Sequence, residues 1–293
     1  MRLRAPTDAD AEEIARLVIA GDVADIGEPD YTLEDLRDEW AAKDFDLAAD
    51  AVLAEADGRA VGYAAFRGSS VLVTVDPERT GEGIGTALRG WAEQRAKARG
   101  LTQLRQYAGH RNAEARQHLE AAGYDQERSH WRMELDLEGD ETPPEPPKGV
   151  AVRPLDRAAD AHGVYEVNDA AFARNADYEY EPKERFLEEH FDAHSLDPRL
   201  SLVAERDGRI IGFALVRRHD TSVAYVDVLA VHPDEAGHGL GGTLLRSAFA
   251  AAARAGLRRG QLGVASDNPN AIRLYARVGM TQRWRLQSYA RSL

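Results

Sequence analysis

Several residue groups in this 293-residue chain have the types and spacing to do chemistry. The run Gly237-His238-Gly239-Leu240-Gly241-Gly242 follows Val231-His232-Pro233, where a β-type stretch, Tyr225 to Val231, comes to its end. Glycines let a backbone come close to an anion, and a turn leading into a helix aims several free N–H groups at one point, an arrangement that suits a pyrophosphate. The run satisfies the dinucleotide pattern Gly-x-Gly-x-x-Gly literally. Yet no acidic residue stands about 20 positions further on to hold a ribose, and the strand is not the first of its half. No Gly-Lys-Ser/Thr follows, which excludes a Walker loop. A tight turn with no ligand is the remaining alternative. Further along, Tyr275 lies in Asn268-Pro269-Asn270-Ala271-Ile272-Arg273-Leu274-Tyr275, where its phenol either protonates a leaving group or packs beneath a helix. On the strand, period-two alternation puts Tyr225, Asp227, Leu229 and Val231 on one face, which makes Asp227 a candidate base or the partner of an arginine. His190 and His194 stand at i and i+4, but Phe191 occupies the place of the Glu in His-Glu-x-x-His, so the pair reads as chance and no metal site is expected. No Gly-x-Ser-x-Gly elbow exists to support a serine hydrolase.

The elements that must position these groups occur twice. Val52-Leu53-Ala54-Glu55-Ala56-Asp57-Gly58-Arg59-Ala60-Val61-Gly62 returns 150 positions later as Leu202-Val203-Ala204-Glu205-Arg206-Asp207-Gly208-Arg209-Ile210-Ile211-Gly212. Val75-Asp76-Pro77 with Gly81, Gly83 and Gly85 returns 156 positions later as Val231-His232-Pro233 with Gly237, Gly239 and Gly241. Asp-Gly between apolar runs signals a hairpin. Each half therefore reads as helix, helix, strand hairpin, strand, Gly-rich turn, helix, strand, helix, strand. In the second half the spacing of Leu240, Leu244, Ser247, Ala248 and Ala251 predicts a helix, and Gly260 to Ala265 a short strand. A last helix runs from Asn270 to Arg277, capped by Asn268 or Asn270 and stopped by Gly279. The acidic stretch 138–148 holds Pro143, Pro144, Pro146 and Pro147 and reads as an extended spacer. Two domains, 1–137 and 149–293, flank it, each an α/β (α+β) unit with a mixed twisted sheet and helices on both faces.

Composition bounds the function. The chain is 43% hydrophobic and 30% charged, has no cysteine and carries a net charge of −13, most of it in the first 140 residues. Disulfides and thiolate chemistry are excluded, acidity disfavours nucleic-acid backbones, and no apolar run approaches the ~20 residues of a membrane helix. Charges at Arg2 and Arg4 stand where a signal peptide needs apolar residues, so a cytoplasmic location is expected.

On these motifs the chain resembles, twice over, the GNAT superfamily of acyl-CoA-dependent N-acetyltransferases, and its layout is similar to actinobacterial tandem acetyltransferases. The resemblance implies that Gly237, His238, Gly239, Leu240, Gly241 and Gly242 cradle the coenzyme A pyrophosphate. Leu229, Ala230 and Val231 would pair with the pantetheine, Asn268 and Asn270 would line the coenzyme site, and Tyr275 would protonate the departing thiolate. Both halves depart from the family at the Arg/Gln of the turn, with Thr80 and Ala236 there. In the first half Leu119 stands at the place of Tyr275 and Val71 at that of Asp227, so that half is expected to be catalytically degenerate. His118 beside Leu119 reads as a surface residue. A second coenzyme site at Val73, Val75, Gly81, Gly83, Gly85 and Thr86 is retained as an expectation. The implied reaction moves an acetyl or other short acyl group from acetyl-CoA to a primary amine of a small molecule, with no metal, nucleic acid or membrane involved, in a monomer or homodimer. A non-catalytic acyl-CoA sensor and a protein lysine acetyltransferase are the alternatives. Carboxylates interleaved with aromatics at Asn168 to Phe172 and Asp177 to Glu181 would suit a cationic acceptor or form a solvated acidic loop.

Overall fold

A computed structural model describes residues 1–173, 180–218 and 221–293. By contacts the chain divides into two compact units, Met1–His130 with Trp284–Leu293, and Trp131–Arg283. The first half supplies β1 (Arg2–Arg4), α1 (Ala11–Asp25), α2 (Leu33–Ala41), α3 (Leu47–Asp50), β2 (Ala51–Ala56), β3 (Arg59–Arg67), β4 (Ser70–Val75), α4 (Ile84–Ala98), β5 (Gln103–Gly109), α5 (Ala113–Ala121) and β6 (Asp125–Asp136). The second supplies β7 (Ala151–Pro154), α6 (Arg157–Phe172), α7 (Lys183–Phe186), β8 (Leu202–Arg206), β9 (Arg209–Arg217), β10 (Val223–Val231), α8 (Leu240–Arg254), β11 (Arg259–Ala265), α9 (Pro269–Val278) and β12 (Thr281–Ser292). A π-helical turn, Leu187–Phe191, continues α7. Among the described residues no helix is long and apolar enough to cross a membrane.

The strands of each unit pair in a mixed pattern, as the alternation of hairpin and helical crossover requires. In the first unit the order is β1-β2-β3-β4-β5-β12, antiparallel except for the β4–β5 pair. In the second it is β6-β11-β10-β9-β8-β7, with β10–β11 parallel. The Asp57-Gly58 and Asp207-Gly208 turns take φ of 56° and 73°, and of 51° and 75°. Both central residues of a two-residue hairpin loop need that left-handed backbone, which Asp and Gly tolerate best. Helices cover both faces of the second unit's strands. Leu240, Leu244, Ala248 and Phe249 of α8 close over Ala224, Val226, Leu262 and Val264, while Val164 and Val167 of α6 with Phe186 and Phe191 pack on Val203, Phe213 and Leu215.

The division of the units does not follow the proline segment. Residues 138–148 form neither helix nor strand, but Met133 and Leu137, ahead of them, are buried in the core of the second unit. Conversely, residues Leu286–Ser292 of β12 pair antiparallel with Gly109–Gln103 of β5, and Tyr289 is fully buried with Leu119 and Tyr124 in the first unit. From Trp131 the last strand of the first half thus belongs to the second unit, and from Trp284 the last strand of the second half belongs to the first unit. Two-fold internal similarity predicts two domains but is silent on which copy each terminal strand completes.

Candidate active site

Gly237 and Gly239 hold φ of +85° and +83°, and a Cβ on either would meet open space. Backbone conformation, not crowding, therefore demands glycine there. Gly239 is the N-cap of α8, no side chain caps the helix, and its first internal hydrogen bond runs from Thr243 N to Gly239 O at 3.0 Å. The N–H groups of Leu240, Gly241 and Gly242 are left at the helix start, where the dipole favours an anion. Leu240 contributes backbone only, because its side chain lies in the core. His238 is exposed, with Nδ1 3.4 Å from the Glu235 carbonyl.

Beside this turn the sheet opens. Strands β10 and β11 pair from Val223↔Arg259 to Val226↔Leu262, although β10 continues to Val231 and β11 to Ala265. On its other edge the segment Leu229, Ala230, Val231 stays paired to Ala214, Phe213 and Gly212. One backbone edge of those three residues is consequently free of the parallel ladder, ready to bond an extended chain. Helix α9 is capped by Asn268, whose Oδ1 accepts from Ala271 N at 3.1 Å, and it ends at Gly279 with φ +101°. Asn270 accepts from Arg273 Nη2 at 2.5 Å. Both asparagines thus serve α9 itself. Tyr275 lies 9% exposed among Leu240, Leu244 and Met280, on the α8 face. Burial, with a contribution from Tyr225, pushes its pKa up to about 12, so the phenol is protonated at neutral pH.

Asp227 departs from the alternation that groups it with Leu229 and Val231. The pairing of β10 with β9 slips between Val226↔Val216 and Val228↔Leu215, which leaves Asp227 as the extra residue of a β-bulge. A bulge re-aims the side chains that follow it. Leu229 and Val231 pack with Val226 on the α8 face, whereas Val228 and Ala230 pack on the α6 face. Asp227 reaches the π-helical turn, where its Oδ2 lies 2.7 Å from His190 Nδ1 and 2.8 Å from Arg217 Nη2. Burial alone would raise the carboxyl pKa, but the His190 hydrogen bond and the Arg217 charge outweigh it, and the pKa lies below the ordinary carboxylate range. Arg217 Nη2 also donates to the Glu189 carbonyl at 2.7 Å. Phe186 packs against the His190 ring at 4.9 Å between centroids, the planes tilted by 46°.

His190 thus has a partner that sequence spacing did not suggest, and the partner is Asp227 rather than His194. Its ring also lies near Glu181 and Glu189, the ligand-type atoms of the three residues falling within 4.8 Å of one another. Tyr180 is 68% exposed, Tyr165 donates to the Glu181 carbonyl at 3.0 Å, and burial raises the Glu181 carboxyl pKa. Asp177, Tyr178 and Glu179 lie outside the described residues. One signal could have found His190. The 150-residue shift lays Lys183–Phe191 on Leu33–Ala41 and puts His190 opposite Trp40.

The first unit carries its own cleft of about 630 Å³. Val73, Val75, Gly81, Gly83, Gly85 and Thr86 all line it. There β4 meets β5 only at Ser70↔Arg105, and Gly81 and Gly83 repeat the left-handed turn with φ of +79° and +81°. Leu119 and His118 also line the cleft. His118 is therefore not a plain surface residue: Arg89 Nε donates to its Nε2 at 3.3 Å, and burial, then the Arg89 charge, depress its pKa.

A model of the acetyltransferase (GNAT) family matches residues 20–124 and 163–280. A mycothiol acetyltransferase of Actinosynnema mirum is 33% identical over 249 residues, covering 80% of each chain. One from Stackebrandtia nassauensis is 29% identical over 285 residues, covering 93% of this chain and 92% of its own. A GCN5-related N-acetyltransferase from Sphaerobacter thermophilus superposes with a TM-score of 0.85 at 30% identity, over 99% of this chain and 95% of that one. A tandem GNAT protein from the clavulanic acid biosynthesis pathway does so with a TM-score of 0.75 at 19% identity, over 99% and 98%.

Proposed function

The chain belongs to the GNAT family and is an acetyl-CoA-dependent N-acetyltransferase, and from that premise we propose that it acetylates a primary amine of a small molecule in the site of its second unit. The observation that carries this reading is the disposition of Tyr275 and Asp227. Tyr275 is protonated on the α8 face beside the glycine turn, and Asp227 is ionised on the α6 face, where β10 and β11 part. Acyl transfer from a thioester needs a proton for the departing sulfur and an acceptor for the proton of the attacking amine. Tyr275 meets the first need and the hydrogen-bonded Asp227–His190 pair the second, from opposite sides of an opening in the sheet. In the first unit Leu119 and Val71 replace both. That unit, with its lined cleft, binds coenzyme without transferring from it.

A coenzyme bound in the second unit would lay its pyrophosphate on the N–H groups of Leu240, Gly241 and Gly242. Its pantetheine would run along the free edge of Leu229, Ala230 and Val231. The small-molecule acceptor is suggested by the mycothiol acetyltransferases, which match over most of their length. Glu181 and Glu189 on the acceptor side favour a cationic amine. The test is calorimetric titration of acetyl-CoA into the full chain, followed by thiol release against a panel of amino acid amides, amino sugars and diamines. Turnover with at least one amine, reduced in Tyr275→Phe with coenzyme affinity kept, supports the reading. Coenzyme binding with no amine accepted would leave a sensor instead.

A further inference from the structure

We propose that His190 is the group that takes the proton from the acceptor amine, with Asp227 as its positioning partner; this rests on the placement of the reaction in the second unit. An ionised carboxylate has no proton to give, so the 2.7 Å contact between Asp227 Oδ2 and His190 Nδ1 is a hydrogen bond only if Nδ1 carries the hydrogen. That tautomer leaves the lone pair on Nε2, which has no hydrogen-bond partner among the described residues, and makes the 3.3 Å approach of Arg217 Nη2 to Nδ1 a contact rather than a hydrogen bond, the shorter Asp227 contact deciding between them. The imidazole side chain is 19% exposed, open enough for a substrate to reach. Asp227 is already engaged by His190 and Arg217 and has its pKa depressed, which makes it a poor proton acceptor and a good anchor for an imidazolium.

The first unit supplies a control within the same chain. Arg67 stands 150 positions before Arg217, and Glu39 pairs with it at 2.7 Å, while Trp40 and Val71 occupy the places of His190 and Asp227. The fold thus satisfies its buried arginine without a His–Asp pair. The pair is confined to the unit that also has the tyrosine.

The protons and electrons balance. The cationic amine first gives one proton to water, its freed lone pair then forms the N–C bond at the thioester carbonyl, and His190 Nε2 takes the second N–H proton. The C–S bond then breaks with its electron pair on sulfur, and Tyr275 protonates the thiolate. The imidazolium proton leaves through water, and the phenolate regains one from solvent. Among the described residues Glu181, Glu189, Asp227 and Arg217 are charged groups close to the His190 ring, and the two glutamates suit a cationic amine there.

The test uses the full chain and the best amine from the panel. His190→Gln should lower kcat about 100-fold, the size of a lost acid–base group, with KM for acetyl-CoA unchanged and the acid limb of the kcat/KM pH profile abolished. In His190→Ala, added imidazole should restore part of the rate. Independently of any amine, 15N-histidine NMR should show the His190 ring with its hydrogen on Nδ1 in wild type, and lose that preference in Asp227→Asn. A His190→Gln enzyme with wild-type kcat and pH profile overturns the proposal and leaves the acetyltransferase reading intact. So does a ring carrying its hydrogen on Nε2, or activity that chelators abolish. A wild-type chain that acetylates no amine overturns both.

Discussion

Tyr289 Oη lies 3.4 Å from Glu120 Oε1, a contact between the last strand of the chain and a helix 169 residues earlier. Tyr289 is fully buried with Leu119 and Tyr124, so β12 is part of the first unit's core and not an appendage. Cutting the chain at the proline segment would separate both units from their last strands. Residues 149–293 alone should therefore aggregate or unfold without a cooperative transition, as size-exclusion chromatography and circular dichroism would show. In the full chain Tyr289→Ala should cost about 3–4 kcal/mol of first-unit stability, read by urea unfolding.

Tyr275 makes a prediction with two readouts. Tyr275→Phe should lower kcat about 10- to 100-fold, as loss of a general acid does, and keep acetyl-CoA affinity within about twofold, since the phenyl ring retains the packing. Its pKa is raised in the folded chain, to about 12. The proton on Tyr275 therefore stabilises the fold fully below the unfolded value, about 10, and that contribution is lost as pH rises through about 12. The stability difference between wild type and Tyr275→Phe should be constant up to about pH 10 and drift against wild type above it.

Asp227 acts on the opposite side of the pH scale. Its folded pKa is depressed by His190 and Arg217, against the effect of burial. Such a carboxylate stabilises the fold above its unfolded pKa, about 4, and the contribution disappears as pH falls through the lower folded value. Asp227→Asn should be about 2 kcal/mol less stable near pH 7, the scale of a hydrogen bond to a charged group. The gap should narrow progressively below about pH 4, measured by urea unfolding at each pH.

Local chemistry made much of this architecture legible. The Asp57-Gly58 and Asp207-Gly208 hairpins, the glycine turns, the Asn268 cap and the Gly279 stop are each written within a few residues, and the structure forms all of them. What escaped is non-local. The bulge at Asp227 depends on the register of β10 against β9, which no alternation rule in β10 contains. His190 meets Asp227 across 37 residues, and Arg217 reaches the same carboxylate from the next strand. Exchange of the last strands is decided by which core Met133 and Tyr289 enter, and both residues read simply as apolar positions in a strand.

The paired glycine turns separate binding from catalysis. Gly83 and Gly239 sit at φ of +81° and +83°, each as the N-cap of a 15-residue helix with no side-chain cap. A β-branched side chain is strained there by about 1–2 kcal/mol, and relief of that strain turns the helix-start N–H groups away from an anion. Wild type should bind two equivalents of acetyl-CoA by calorimetry, and Gly83→Val and Gly239→Val one each. Only Gly239→Val should abolish thiol release with the accepted amine, because Tyr275, Asp227 and His190 all belong to its unit. If Gly83→Val were the variant that stopped turnover, catalysis would lie in the first unit's cleft, where Asp25, Tyr107, Glu114 and His118 are the lining groups able to handle a proton.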